Sequence, residues 1–159
     1  MGIGGIGEKG AGILKFLGSS YQKKSARKAT LLPGFDRRVT LVKMRPGFSW
    51  RELEFYEKNG YRGIVIEGTG LGHMPVNSID NHTKEHGKLL AVLERMTKKG
   101  MIILMTSQCA YGKVNMNVYS TGRKLLDAGV IPVAMTPETA YVKLGWALGN
   151  AKKAEDAKE

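Results

Sequence analysis

From about residue 39 the apolar positions alternate between short continuous blocks and longer stretches at helical spacing. Val39 to Met44 is one block, partly β-branched and stopped by Pro46-Gly47. Ser49-Trp50-Arg51-Glu52 follows as a capping-box pattern, in which the serine accepts from the third helical N–H and the glutamate reaches back. That helix runs to about Asn59-Gly60, a C-terminal stop. Gly63 to Glu67 is the next block. Its Ile64, Val65 and Ile66 are consecutive, which suits a parallel strand covered on both faces. After a Gly-rich loop a longer helix extends from about Asn81 to Lys99, with His86, Leu89, Leu90, Leu93 and Met96 on one face. Gly100 ends it. Met101 to Met105 is a third strand, Thr106 to Asn117 a polar loop, and Val118 to Ala128 a short helix stopped by Gly129. Val130 to Ala134 reads as a short fourth strand. Thr136 caps the last helix and Pro137 takes its first position. That helix runs to Gly149, with Tyr141, Leu144, Gly145 and Leu148 on one face. Strands alternating with helices predict the α/β class: a small, open, mostly parallel four-stranded sheet flanked by helices. Ligand-facing loops in such sheets follow the C-terminal ends of the strands. Here those are Arg45 to Phe48, Gly68 to Asn77, Ser107 to Asn117, and Met135.

The first 34 residues break this pattern. Gly2, Gly4, Gly5, Gly7, Gly10 and Gly12 raise the entropic cost of ordering any regular element there. The sequence therefore divides into a flexible basic extension (1–34), a globular domain (35–150) and a charged tail (151–159). The chain carries 25 Lys and Arg against 14 Asp and Glu, a net charge of +11, and +6 of that falls within residues 1–38. A basic arm of this kind concentrates polyanions such as RNA. Its candidate phosphate contacts are Lys15, Lys23, Lys24, Arg27, Lys28, Arg37 and Arg38. A solvated, non-binding extension is the plainer reading. Basic-aromatic interleaving is limited to Tyr21-Gln22-Lys23-Lys24 and Tyr61-Arg62, and no RNA-binding module accompanies it. The single cysteine, Cys109, allows no intrachain disulfide and fits a reducing cytoplasm. No apolar run approaches the roughly 20 residues a membrane helix needs. Ile3 to Leu17 is interrupted by glycines and by Glu8, Lys9 and Lys15, which makes it a poor secretory segment.

Three motifs carry candidate chemistry. In Gly68-Thr69-Gly70-Leu71-Gly72-His73, directly after a strand, the glycines let N–H groups point at an anion or carboxylate. The competing reading is a tight structural turn. It is not a dinucleotide fingerprint, because Pro75 and further loop residues separate it from the next helix. His82-Thr83-Lys84-Glu85-His86 matches the inverted zincin pattern H-x-x-E-H, but it lies at a helix start and no third ligand stands out downstream. A chance pair of histidines is preferred, and no metal is expected. In Thr106-Ser107-Gln108-Cys109 the thiol has no Asp-His pair to activate it, so a small buried cysteine is expected.

Several strings in order resemble the type I asparaginases and the D subunit of archaeal tRNA-dependent amidotransferases. They are Gly60 to His73, Thr106 to Cys109, Gly112 to Gly122, Ala128 to Ile131, and Met135 to Ala140 with Lys143-Leu144. Glu67 to His73 favours the amidotransferase over plain asparaginases. The resemblance covers roughly 110 residues and is to the C-terminal domain of that family. It implies an asparaginase-like α/β fold, amide hydrolysis of glutamine or asparagine, no cofactor, and delivery of ammonia to Glu-tRNA(Gln). It also implies that the attacking threonines and an Asp-Lys pair belong to an N-terminal domain, in T-G-G-T and G-T-D-T surroundings. Neither string occurs here, so no catalytic residue is assigned. What the resemblance assigns is a ligand or effector loop set: Gly68, Thr69, Gly70, Gly72 and His73 with Gln108, Cys109 and Tyr111. The expected partners are a catalytic half or amidotransferase subunits with tRNA, and homo-oligomeric contacts. The alternative is a repurposed, non-catalytic domain that binds the ribosome or rRNA through its basic arm.

Overall fold

The structure is a computed structural model that describes residues 7–10, 13–16, 26 and 28–151. The chain divides into two compact units, Met1–Leu31 and Leu32–Glu159. In the first, β1 (Gly7–Gly10) pairs antiparallel with β2 (Ile13–Phe16), Glu8 lying opposite Lys15. The glycine content argues against any strand here, yet a hairpin forms. The connection between the two strands is two residues long, the commonest hairpin length, and Ile13-Leu14-Lys15-Phe16 is itself strand-forming.

The second unit contains β3 (Val39–Lys43), α1 (Trp50–Lys58), β4 (Gly63–Gly68), α2 (Lys84–Lys98), β5 (Ile102–Ser107), α3 (Ser120–Asp127), β6 (Ile131–Pro132) and α4 (Pro137–Asn150). The four strands form one sheet in the order β3-β4-β5-β6, every pair parallel. Side chains alternate across it. Ile64, Ile66, Ile103 and Met105 join a core with Leu53 of α1, Leu89 and Leu93 of α2 and Leu125 of α3. Val39, Val65 and Ile102 point the other way, against Ala140, Leu144 and Leu148 of α4. Both faces of β4 are covered, which is why Ile64-Val65-Ile66 shows no polar alternation. Gly63 lets α4 lie close, since a Cβ there would stand 2.7 Å from Leu144 Cδ2.

Two elements differ from their sequence reading. The fourth strand is only Ile131–Pro132. One further backbone bond, Val133 N–H to Met105 O at 3.0 Å, closes the pairing, and Pro132 is tolerated because β6 is the edge strand. The long helix starts at Lys84, three residues later than its apolar spacing suggests. Asp80 explains the delay. Its carboxylate accepts from the N–H groups of His82 and Thr83 and from the Thr83 hydroxyl, at 2.9–3.0 Å. This local turn competes with the first helical turn.

Candidate functional site

The loops that leave β4 and β5 meet at the C-terminal edge of the sheet. The β4 loop doubles back at once. Thr69 and His73 pair, with N–H to carbonyl bonds of 2.9 Å in both directions. Gly70 (φ 51°) and Gly72 (φ 93°) occupy the left-handed region that this reversal requires. A Cβ on Gly72 would also stand 2.8 Å from Val114. The motif is therefore a tight turn. Its tip, Thr69 and Gly70, is exposed.

The β5 loop braces it. Gln108 N–H donates to Gly68 O at 2.9 Å, and the Ser107 hydroxyl donates to Gly70 O. The Gln108 side-chain amide donates to Met44 O at 2.6 Å and to Glu67 O at 3.2 Å. One side chain thus ties the ends of β3, β4 and β5 together. Cys109 N–H is held by the Ser107 hydroxyl at 3.0 Å, while Cys109 itself is exposed. Composition alone favours a buried thiol. Its position two residues past a strand end, on a loop, decides otherwise. Tyr111, 99% exposed, projects entirely into solvent.

His73 sits behind these loops, against α3. Its Nδ1 lies 3.3 Å from the Thr121 hydroxyl, and its ring meets Tyr119 edge-on with centroids 5.2 Å apart. Gly122 makes room: a Cβ there would collide with Met116 O and stand 2.7 Å from His73 Cε1. Burial lowers the His73 pKa, favouring the neutral ring. Its Nε2 is buried without a partner among the described residues. Among the described residues no third group bonds the ring to orient it for the Thr121 hydroxyl, as an activated nucleophile requires. Thr106 is fully buried and donates to Ile66 O at 3.1 Å. Thr106 thereby ties β5 to β4, while Thr121 sits against His73 of the β4 loop. Thr121 and Tyr119 join the site without having been singled out by sequence reasoning. Both lie within the Gly112 to Gly122 string, but nothing in it shows which positions meet His73.

The H-x-x-E-H pattern does not assemble. His82 lies in the Asp80 turn, ahead of the helix, so it shares no helical face with His86. His86 Nδ1 is 3.1 Å from Asn77 O. Among the described residues no three His, Cys, Asp or Glu side chains converge on a metal-sized site. Of the basic-arm candidates, Lys15, Lys23, Lys24 and Arg27 have side chains outside the described residues. Lys28 and Arg37 are exposed. Arg38 forks onto Asp36 through Nε (3.0 Å) and Nη2 (2.9 Å), and Arg62 adds a 2.8 Å bond. Asp36 is held well below the usual carboxylate range by these bonds, the Arg38 side chain first.

Sequence and structure comparison agree with this geometry. The Glutaminase/Asparaginase C-terminal domain profile matches residues 38–159. The D subunit of the glutamyl-tRNA(Gln) amidotransferase of Pyrococcus abyssi is 46% identical over 149 residues, covering 93% of this chain and 32% of its own length. That of Thermofilum pendens is 42% identical over 146 residues, covering 91% and 30%. The chain therefore spans about a third of the length of these relatives. The first alignment extends ahead of residue 38, so the basic stretch is itself shared in part with that relative. Among solved structures, the L-asparaginase of Thermococcus kodakarensis superposes with a TM-score of 0.75 at 28% identity, covering 96% of this chain and 43% of that one. L-asparaginase I of Vibrio cholerae superposes with a TM-score of 0.72 at 29% identity, covering 91% and 40%. On its parallel sheet, its braced β4 and β5 loops and these matches, the chain belongs to the glutaminase/asparaginase C-terminal domain family.

Proposed function

We propose that this chain is the loop-donating part of a tRNA-dependent amidotransferase, acting on glutamine or asparagine with an attacking threonine supplied from outside these 159 residues. The observation that carries this reading is the paired loop edge. Gly68 to His73 is rigidly reversed, braced by Ser107 and Gln108, and exposes Thr69, Gly70, Cys109 and Tyr111 together. Such an edge can position an amide substrate. Among the described residues it carries no activated hydroxyl, and positioning groups without a nucleophile leave only residual catalysis. Ammonia released by the completed site would serve Glu-tRNA(Gln), as the relatives' name indicates for them. A reducing, cytoplasmic setting suits the exposed thiol.

The test is ammonia release from glutamine and asparagine by the purified chain, alone and mixed with the separately expressed N-terminal two thirds of the Pyrococcus abyssi relative. The chain alone releases none above background, and the mixture releases ammonia. Turnover by the chain alone, surviving removal of contaminating amidases, overturns the reading. Failure of a well-folded mixture to turn over counts equally against it.

A further inference from the structure

A concavity lies where the β3–α1 loop faces the start of α2, with Pro75 of the β4 loop at its margin. It is an open groove of about 710 Å³, lined by Arg45, Phe48, Trp50, Arg51, His82 and Glu85 together with Leu89. A volume of this order accommodates a ligand of a few tens of atoms.

Its chemistry is specific. Each of its two aromatic rings has a guanidinium beside it. Arg45 Cζ stands 5.4 Å from the Phe48 ring centre, and Arg51 Cζ stands 4.7 Å from that of Trp50. Lys88 brings a third cation to within 5.4 Å of the indole. Trp50 is half-buried and anchored, since its indole N–H donates to Glu85. Arg45 uses only Nη2 toward Glu52, at 2.8 and 2.9 Å, which leaves its Nε and Nη1 without a hydrogen bond among the described residues. Arg51 is exposed, and its guanidinium makes no hydrogen bond among the described residues. The acids nearby, Glu52 and Glu85, are each already matched by a cation, Arg45 and Lys88. Exposed ion pairs of this kind contribute about 0–1 kcal/mol and exchange partners readily.

The Trp50 ring carries Arg51 and Lys88 over it; a planar base stacks on the indole by displacing one of these exposed cations, which is then free to take phosphate oxygens. We propose that this groove binds a nucleoside phosphate, its base against Trp50 and its phosphate on Arg45 and Arg51. The ligand is either a free nucleotide or one unit of single-stranded RNA. The groove's arginines, Arg45 and Arg51, lie outside the basic arm.

The chain has two tryptophans. The Trp146→Phe variant makes Trp50 the sole indole and reports on the groove directly. Titration with AMP and with hexa-adenylate quenches its fluorescence saturably. Quenching by both points to a free nucleotide. Quenching by the hexamer alone points to a strand, and its affinity then falls several-fold between roughly 50 and 200 mM salt. Adding Arg45→Glu and Arg51→Glu weakens binding at least tenfold, and Arg51→Gln, a milder change at an exposed position, weakens it about threefold. Inorganic phosphate alone does not quench. The proposal fails if neither nucleotide ligand quenches. It fails equally if quenching persists unchanged in either arginine variant, with circular dichroism showing both folded.

Discussion

Single side chains settle most of the local geometry. Glu57 is one of them. It accepts from Arg95 at 2.6–3.2 Å and from Lys99 at 2.7 Å, joining α1 to α2 while its own side chain is only 12% exposed. The bonds to Arg95, then those to Lys99, lower its pKa from 4.5 to about 2. A carboxylate depressed on folding adds stability that is fully present above its unfolded pKa. That stability is lost as pH falls through the folded value. Thermal melts should therefore show a decline between about pH 5 and pH 2 that is weaker in Glu57→Gln, while at pH 7 the variant should be less stable by about 1 kcal/mol. Gly122 is a second case. Alanine there meets Met116 O and the His73 ring, so Gly122→Ala should cost about 2–3 kcal/mol in urea unfolding. It should also shift the His73 imidazole resonances, which a remote destabilisation would leave alone. These close approaches were not legible in the sequence. Gly122 stands inside a helical pattern, and only the fold brings Met116 and His73 against it.

At the scale of elements, what could be read depended on whether the causes were local. The capping box of α1 formed as the residues dictate: the Ser49 hydroxyl accepts and Glu52 returns to the Ser49 N–H at 3.2 Å. Pro137 and Thr136 opened α4 in the same way. The consecutive Ile64-Val65-Ile66 marked a strand covered on both faces, and the sheet confirms it. The start of α2 escaped because Asp80 bonds its own downstream backbone, a competitor that hydrophobic spacing does not register. The fourth strand was overcounted for the opposite reason. Val130 to Ala134 has strand composition, but only Ile131 and Pro132 pair with β5. Leu93 of α2 is fully buried, in the same core cluster as Leu53, Ile64 and Ile103. Leu93→Ala should cost about 2–5 kcal/mol by denaturant titration. Gln108→Ala removes two hydrogen bonds from its side-chain amide. It should lower stability by about 1–2 kcal/mol and raise hydrogen exchange in the β4 and β5 loops ahead of the sheet.

For the globular domain, α/β class, its four strands and their parallel order followed from alternation of strand and helix, whereas the β1–β2 hairpin did not. The loop edge followed from the rule that such sheets expose their C-terminal ends. What converges there did not. Tyr119 and Thr121 reach His73 across 46 and 48 residues of chain, a relation no spacing encodes. Gly34 and Asn150 show a different kind of long-range closure. The Asn150 amide donates to Gly34 O at 2.7 Å, and Gly34 N–H donates back to the Asn150 side chain at 3.0 Å. The Trp146 indole adds a bond to Leu32 O at 2.9 Å. The segment that leads into β3 and the last residue of α4 are thereby clasped side by side. A fold clasped in this way is a portable cassette. It can be grafted into a loop of an unrelated host, or joined end to end and reopened elsewhere, without pulling its strands apart.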